Sequence, residues 1–88
     1  MSRDIAWTRP ALKDLERLDR QSRDRVASAL AAFGEDGSGD VRRLVDVQPA
    51  RYRLRVGSLR VIFTQTHPNY PSGAIVILRV LPRDKAYR

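Results

Sequence analysis

Four arginines crowd one stretch whose side-chain chemistry suits phosphate. Arg51, Arg53, Arg55 and Arg60 lie in one run, RYRLRVGSLRVIFT (residues 51–64), and the tyrosine Tyr87 lies within a basic tail. A guanidinium presents a rigid fork of N–H donors that matches two phosphate oxygens. Several such forks and a stacking aromatic can bind RNA. They can also stabilise the charge that builds on phosphorus when a ribose 2′-hydroxyl attacks the adjacent phosphodiester. That reaction requires no metal, no cofactor and no protein nucleophile. The rest of the inventory offers little else. There is no Gly-rich phosphate loop, no metal-ligand cluster and no Ser/His/Asp or Cys/His constellation. With no cysteine there is no disulfide, thiolate or Cys-bound zinc. The one histidine, His67, falls in a proline-flanked turn, HPNYPSG, and Asp84, the only carboxylate near the basic tail, reads as an arginine's partner. The plain alternative for the arginines is a solvated face.

These arginines need a scaffold, and residues 51–64 supply one. Two runs rich in Val, Ile, Leu and aromatics flank Gly57-Ser58, and Gly at the first central position is what a two-residue type II′ turn requires. That turn sets Val56 opposite Leu59, Arg55 opposite Arg60, Leu54 opposite Val61, Arg53 opposite Ile62 and Tyr52 opposite Phe63. Because side chains alternate across a strand, one face is apolar. The other carries Arg51, Arg53, Arg55, Arg60 and Ile62. Arg55 and Arg60 then face each other, and like charges so placed repel. An anion on that face would relieve the repulsion.

Earlier in the chain, residues 3–7 read as a short strand. Thr8 offers an N-cap with Pro10 in the first turn, opening a helix over residues 9–18 whose apolar positions are Leu12, Leu15 and Leu18. Lys13, Asp14, Glu16 and Arg17 take its outer face. Asp19 caps a second helix over residues 20–33, with Val26, Leu30 and Phe33 spaced for one face. Both stripes read as core. GEDGSGD (residues 34–40) is a loop by composition. Residues 41–47 are ambiguous, although Leu44, Val45 and Val47 are expected to bury. Residues 74–81, AIVILRVL, form a near-continuous apolar run, as in a central strand covered on both faces. Arg79 is its one charge, and Pro82 ends it.

The expected fold is therefore α+β with two layers. An N-terminal strand and a helical hairpin pack on one face of a mainly antiparallel four-stranded sheet, in the order β-α-α-β-β-β. The chain of 88 residues allows one domain, residues 1–88, with one core. No apolar run approaches the roughly 20 residues of a transmembrane helix, and the N-terminus lacks a signal-peptide apolar region, so a cytoplasmic location without membrane contact is expected. Charge is unevenly placed. Residues 1–40 hold seven Lys/Arg against eight Asp/Glu, whereas residues 41–88 hold ten against Asp46 and Asp84 alone. A polyanion partner follows: nucleic acid, an acidic protein segment, or both.

The runs YRLRVGSLRVIF (residues 52–63), WTRPALKDLERLD (7–19) and VILRVLPRDKAYR (76–88) together resemble the RelE/ParE superfamily of type II toxins. The hairpin run is the most specific of the three. The closer similarity is to RelE-like toxins, ribosome-dependent endoribonucleases (mRNA interferases) that enter the A site and cleave mRNA. The resemblance implies that Arg53, Arg55 and Arg60 hold the scissile phosphate and stabilise its transition-state charge. Arg83 would assist the leaving oxygen, and Tyr87 would stack on a base of the codon. It also implies a cognate antitoxin whose C-terminal segment wraps the domain, action on the ribosome and its mRNA, and operator DNA bound through the antitoxin. The chain departs from the pattern in two ways. Relatives often have lysine where Arg53 and Arg55 stand. A guanidinium with a pKa of about 12.5 or above is a poor general base, which leaves the proton acceptor unassigned. Leu81-Pro82 also replaces the Gly-His or similar pair that many relatives carry before the arginine. Two rivals share the pattern: a ParE-like inhibitor of DNA gyrase acting through protein contacts, and a noncatalytic RNA- or ribosome-binding module.

Overall fold

The computed structural model describes residues 3–85. Its elements run β1 (Ile5–Trp7), α1 (Arg9–Glu16), α2 (Arg20–Asp36), β2 (Asp40–Arg43), β3 (Tyr52–Val56), β4 (Leu59–Thr64) and β5 (Ile75–Pro82), followed by a 3₁₀ turn at Arg83–Lys85. The strands form one sheet in the order β1-β5-β4-β3-β2. β1 runs parallel to β5, and the other three pairings are antiparallel. The α+β reading with a helical hairpin on a mainly antiparallel sheet stands. The sheet is mixed, and it has five strands because residues 41–43 of the ambiguous stretch join it together with Asp40 from the expected loop.

The hairpin between β3 and β4 forms in the register that the turn dictates. Tyr52 pairs with Phe63, Arg53 with Ile62, Leu54 with Val61, Arg55 with Arg60 and Val56 with Leu59. Gly57 has a φ of +58°, and Ser58 is not among the residues with positive φ; this is the combination of a type II′ turn. The apolar face meets the helices. Ala11 of α1 and Val26, Leu30 and Phe33 of α2 pack against Leu54, Val61, Phe63, Ile75, Ile77 and Val80. Phe63 sits at the centre, tilted against Phe33 with ring centroids 5.1 Å apart and stacked on Tyr52 at 5.4 Å. Full burial of a side chain of this size stabilises by roughly 1.5–3 kcal/mol.

Local chemistry sets the helix ends. Asp19 caps α2 by accepting the Ser22 N–H at 3.0 Å, and Gly37, in the left-handed region at φ +78°, closes it. The helix runs past Phe33 to Asp36. Gly34 lies buried within it, and its carbonyl accepts the Arg3 N–H. Thr8 occupies the N-cap position of α1, but its hydroxyl makes no cap. It donates instead to the Ile77 carbonyl at 2.7 Å, as does the Thr8 N–H at 3.1 Å. The start of α1 is thus pinned to β5.

Leu12, read as core from its place in the α1 stripe, is 45 % exposed. Two further sequence expectations are corrected here. Asp14, assigned to the outer face of α1, is only 8 % exposed. Where β1 stops, β5 continues, and Asp14 takes over the vacant edge. Its Oδ2 accepts the Val80 N–H at 2.9 Å and the Arg79 Nε–H at 2.7 Å, while Oδ1 accepts from Arg79 Nη2 at 3.0 Å. A shift in register between Ile62 and Phe63 accompanies this contact. The second correction concerns Val45, which was expected to bury. It is 82 % exposed, because β2 ends at Arg43 and the chain loops outward before β3.

Candidate functional site

The face of the sheet turned away from the helices carries the arginines in two cross-strand rows. One row is Asp40 on β2, Arg55 on β3 and Arg60 on β4; the next is Arg42, Arg53 and Ile62. Directly opposite side chains in such rows have Cβ atoms about 4.5–5.5 Å apart. The last cation comes from the chain beyond β5. Leu59 pairs with Pro82, and the Arg83 N–H donates to the Ser58 carbonyl at 3.0 Å. Arg83 is thereby tied to the hairpin turn. Asp40, Arg42, Arg53, Arg55, Arg60 and Arg83 together line a cleft of about 390 Å³.

Expectation placed Arg53, Arg55, Arg60 and Arg83 together, and the cleft contains all four. Tyr87 lies outside the described residues. Asp40 and Arg42 were not singled out, because their place depends on β2 pairing with β3. The arginine face is also partly closed. Arg53 is 8 % and Arg60 only 3 % exposed, and Ile62, at the end of the second row, is buried. Arg42, Arg55 and Arg83 are exposed.

The Arg55–Arg60 opposition is eased from both sides. The Asp40 carboxylate lies 4.0 Å from the Arg55 guanidinium. Arg60 curls back, and its Nη1 donates to the carbonyls of Leu59 at 2.8 Å and Gly57 at 2.9 Å. Its Nε–H is buried with no partner among the described residues. A buried donor left unmatched costs about 1–3 kcal/mol, a cost the fold bears at this position. The cleft can receive a doubly bonded anionic oxygen pattern, such as a phosphodiester presents.

His67 is excluded from the cleft. Its Nδ1 accepts the Asn69 N–H at 3.1 Å, and its ring meets the edge of Tyr70. Asp84, expected to pair with an arginine, makes no ion pair among the described residues. Another ion pair, Asp14–Arg79, belongs to the seam between α1 and β5. Burial pushes the Asp14 carboxyl upward. The hydrogen bonds from Arg79 and the Val80 N–H, with the positive charges of Arg79 and Arg17, outweigh that and hold it below the ordinary carboxylate range. The Arg79 guanidinium is raised in turn, chiefly by its bond to Asp14. Among the described residues no group of His, Cys, Asp and Glu is placed to hold a metal ion, and no helix is long and apolar enough to cross a membrane.

Comparison with known proteins adds a sequence match and a fold match. A family model described as "ParE toxin of type II toxin-antitoxin system, parDE" matches residues 5–87. No curated protein sequence matches the chain. Among solved structures, the archaeal RelE–RelB complex from Pyrococcus horikoshii OT3 aligns at a TM-score of 0.74 and 24 % identity, covering 98 % of this chain and 100 % of that one. The RelB–RelE antitoxin–toxin complex from Methanococcus jannaschii aligns at 0.71 and 21 %, covering 93 % and 94 %. The toxin–antitoxin complex RelBE2 from Mycobacterium tuberculosis aligns at 0.70 and 21 %, covering 94 % and 100 %. These structures share the fold described above.

Proposed function

Because the chain belongs to the ParE toxin family of type II toxin–antitoxin systems, within the RelE/ParE superfamily, we propose that this toxin is a metal-independent endoribonuclease that cleaves ribosome-bound mRNA in the A site. The observation that carries this reading is the convergence of Arg42, Arg53, Arg55, Arg60 and Arg83 on one cleft. A surface that worked only by protein contact would have no need to concentrate five guanidinium groups there. In the reaction, the ribose 2′-oxygen attacks the adjacent phosphorus and the bond to the 5′-oxygen breaks. A 2′,3′-cyclic phosphate and a 5′-hydroxyl result. Arg53 and Arg55 hold the non-bridging oxygens, and the charge gained there in the transition state strengthens those bonds more than in the ground state. Arg60 contributes from beneath, where low solvent access strengthens each interaction. Arg83, tied to the hairpin turn, is assigned to the departing oxygen, and Tyr87 is assigned to stack on a codon base.

The partner proposed for the free toxin is a cognate antitoxin, as in the RelE–RelB complexes that share its fold. An acidic, amphipathic segment suits a cationic surface with an apolar rim. Operator DNA is reached through that antitoxin, and the setting is the cytoplasm. A second reading, inhibition of DNA gyrase, is favoured by the ParE wording of the family match.

The deciding experiment is in vitro translation of a defined mRNA with purified toxin, read by primer extension. Wild type is compared with Arg55→Ala and Arg83→Ala. Cleavage within A-site codons is expected, absent on free mRNA and reduced by about 10²-fold or more in each variant. A folded wild-type protein that leaves the mRNA intact yet blocks supercoiling would transfer the assignment to gyrase.

A further inference from the structure

The arginine cleft lacks one thing the proposed reaction needs. Something must accept the proton of the 2′-hydroxyl, and guanidinium groups are protonated at any working pH. Of the described residues lining the cleft, five are arginines and the sixth is Asp40. We infer that Asp40 is the general base, and this rests on the ribonuclease reading above.

The geometry is favourable. Asp40 opens β2 and pairs directly with Arg55, which in turn pairs with Arg60. A phosphate held between the arginine rows therefore has this carboxylate beside it, one strand over. The carboxylate lies 4.0 Å from Arg55, a loose contact, and about half of its side-chain surface is open. It is thus free to exchange its arginine partner for a substrate hydroxyl. The groups that face it are all cations: Arg42 from its own strand, Arg53 and Arg55 from β3, Arg60 from β4 and Arg83 from the turn after β5. Asp40 is the one carboxylate among the described residues that line the cleft. Proton transfer then balances simply. Asp40 takes the 2′-proton as the oxygen–phosphorus bond forms, the 5′-oxygen leaves and takes a proton from water, and Asp40 releases its own proton to solvent. A positioned general base contributes about 10²–10⁴-fold.

The test is a single-turnover pH–rate profile for mRNA cleavage in programmed ribosomes with wild type, Asp40→Asn and Asp40→Glu. The wild-type rate is expected to fall on acidification as one carboxylate protonates. Asp40→Asn should lose at least about 100-fold at neutral pH and lose the acid limb, while its affinity for the ribosome holds or tightens, since a negative charge is gone. Asp40→Glu should keep the limb at a reduced rate. An active wild type with no acid limb overturns the assignment without reference to any variant. So does an Asp40→Asn protein that cleaves normally, or one that is slower but retains the limb. A wild type that cleaves nothing at any pH overturns the ribonuclease reading itself, and Asp40's role with it.

Discussion

Arg60 illustrates at the scale of one residue how a site can oppose its own scaffold. Its guanidinium is buried beside two other arginines, turned onto backbone carbonyls, and left with an unmatched Nε–H. Breaking even on such a charge requires good partners on every donor. Arg60→Met keeps the length and removes the charge. It is expected to raise the unfolding free energy by about 1 kcal/mol, measured by urea denaturation. For a domain of this size that corresponds to a melting temperature roughly 4–8 °C higher. The same variant should lose cleavage. A gain in stability paired with a loss of activity would identify Arg60 as a functional cost carried by the fold. Nothing in the sequence around Arg60 reveals its burial. That follows from its central strand, with β3 on one side and β5 on the other.

Among the elements, the hairpin was legible and the sheet edges were not. The Gly57-Ser58 turn and the alternation around it are local, so the whole β3–β4 register follows from a dozen residues. β2 has only Val41 turned partly inward among four residues, so it carries no alternation to read. The role of Asp14 is hidden for another reason. Its partner Arg79 lies 65 positions away, and the α1 pattern alone places it outward. The seam it makes gives a signed prediction. A carboxyl held below its ordinary range contributes stability that is complete above about pH 4 and is lost as pH falls through its folded-state value. Asp14→Asn should therefore be less stable than wild type at neutral pH, by about 1–3 kcal/mol. The gap should narrow on acidification below pH 4. Chemical denaturation across that range checks both the size and the slope.

For the whole molecule, the unequal charge of the two halves of the chain becomes a spatial fact. The second half supplies β3, β4 and the turn after β5, and with Arg42 of β2 these gather the cations of the cleft. This was legible as composition, although the cleft itself needed the strand order. Affinity for single-stranded RNA should fall with salt at a log–log slope of about 0.7 per phosphate neutralised. With five arginines lining the cleft, the slope should not exceed about 3.5 in magnitude, and each Arg→Ala change there should lower it by about 0.7. Fluorescence titration of a short labelled RNA from low to physiological salt measures it. Variants outside the cleft, such as Lys13→Ala on α1, should leave the slope unchanged.

β2 has a consequence separate from anything the cleft binds. It is one of the two edge strands of the sheet, and three of its four residues, Asp40, Arg42 and Arg43, are charged and exposed. An outer strand leaves half of its backbone hydrogen-bonding groups unmatched, inviting a second copy to stack against it and start a fibril. Charged side chains along such a strand keep copies apart. The acid and bases of β2 therefore also act as gatekeepers against self-assembly. Replacing them all with apolar residues should make the toxin aggregate, visible as light scattering that grows with concentration.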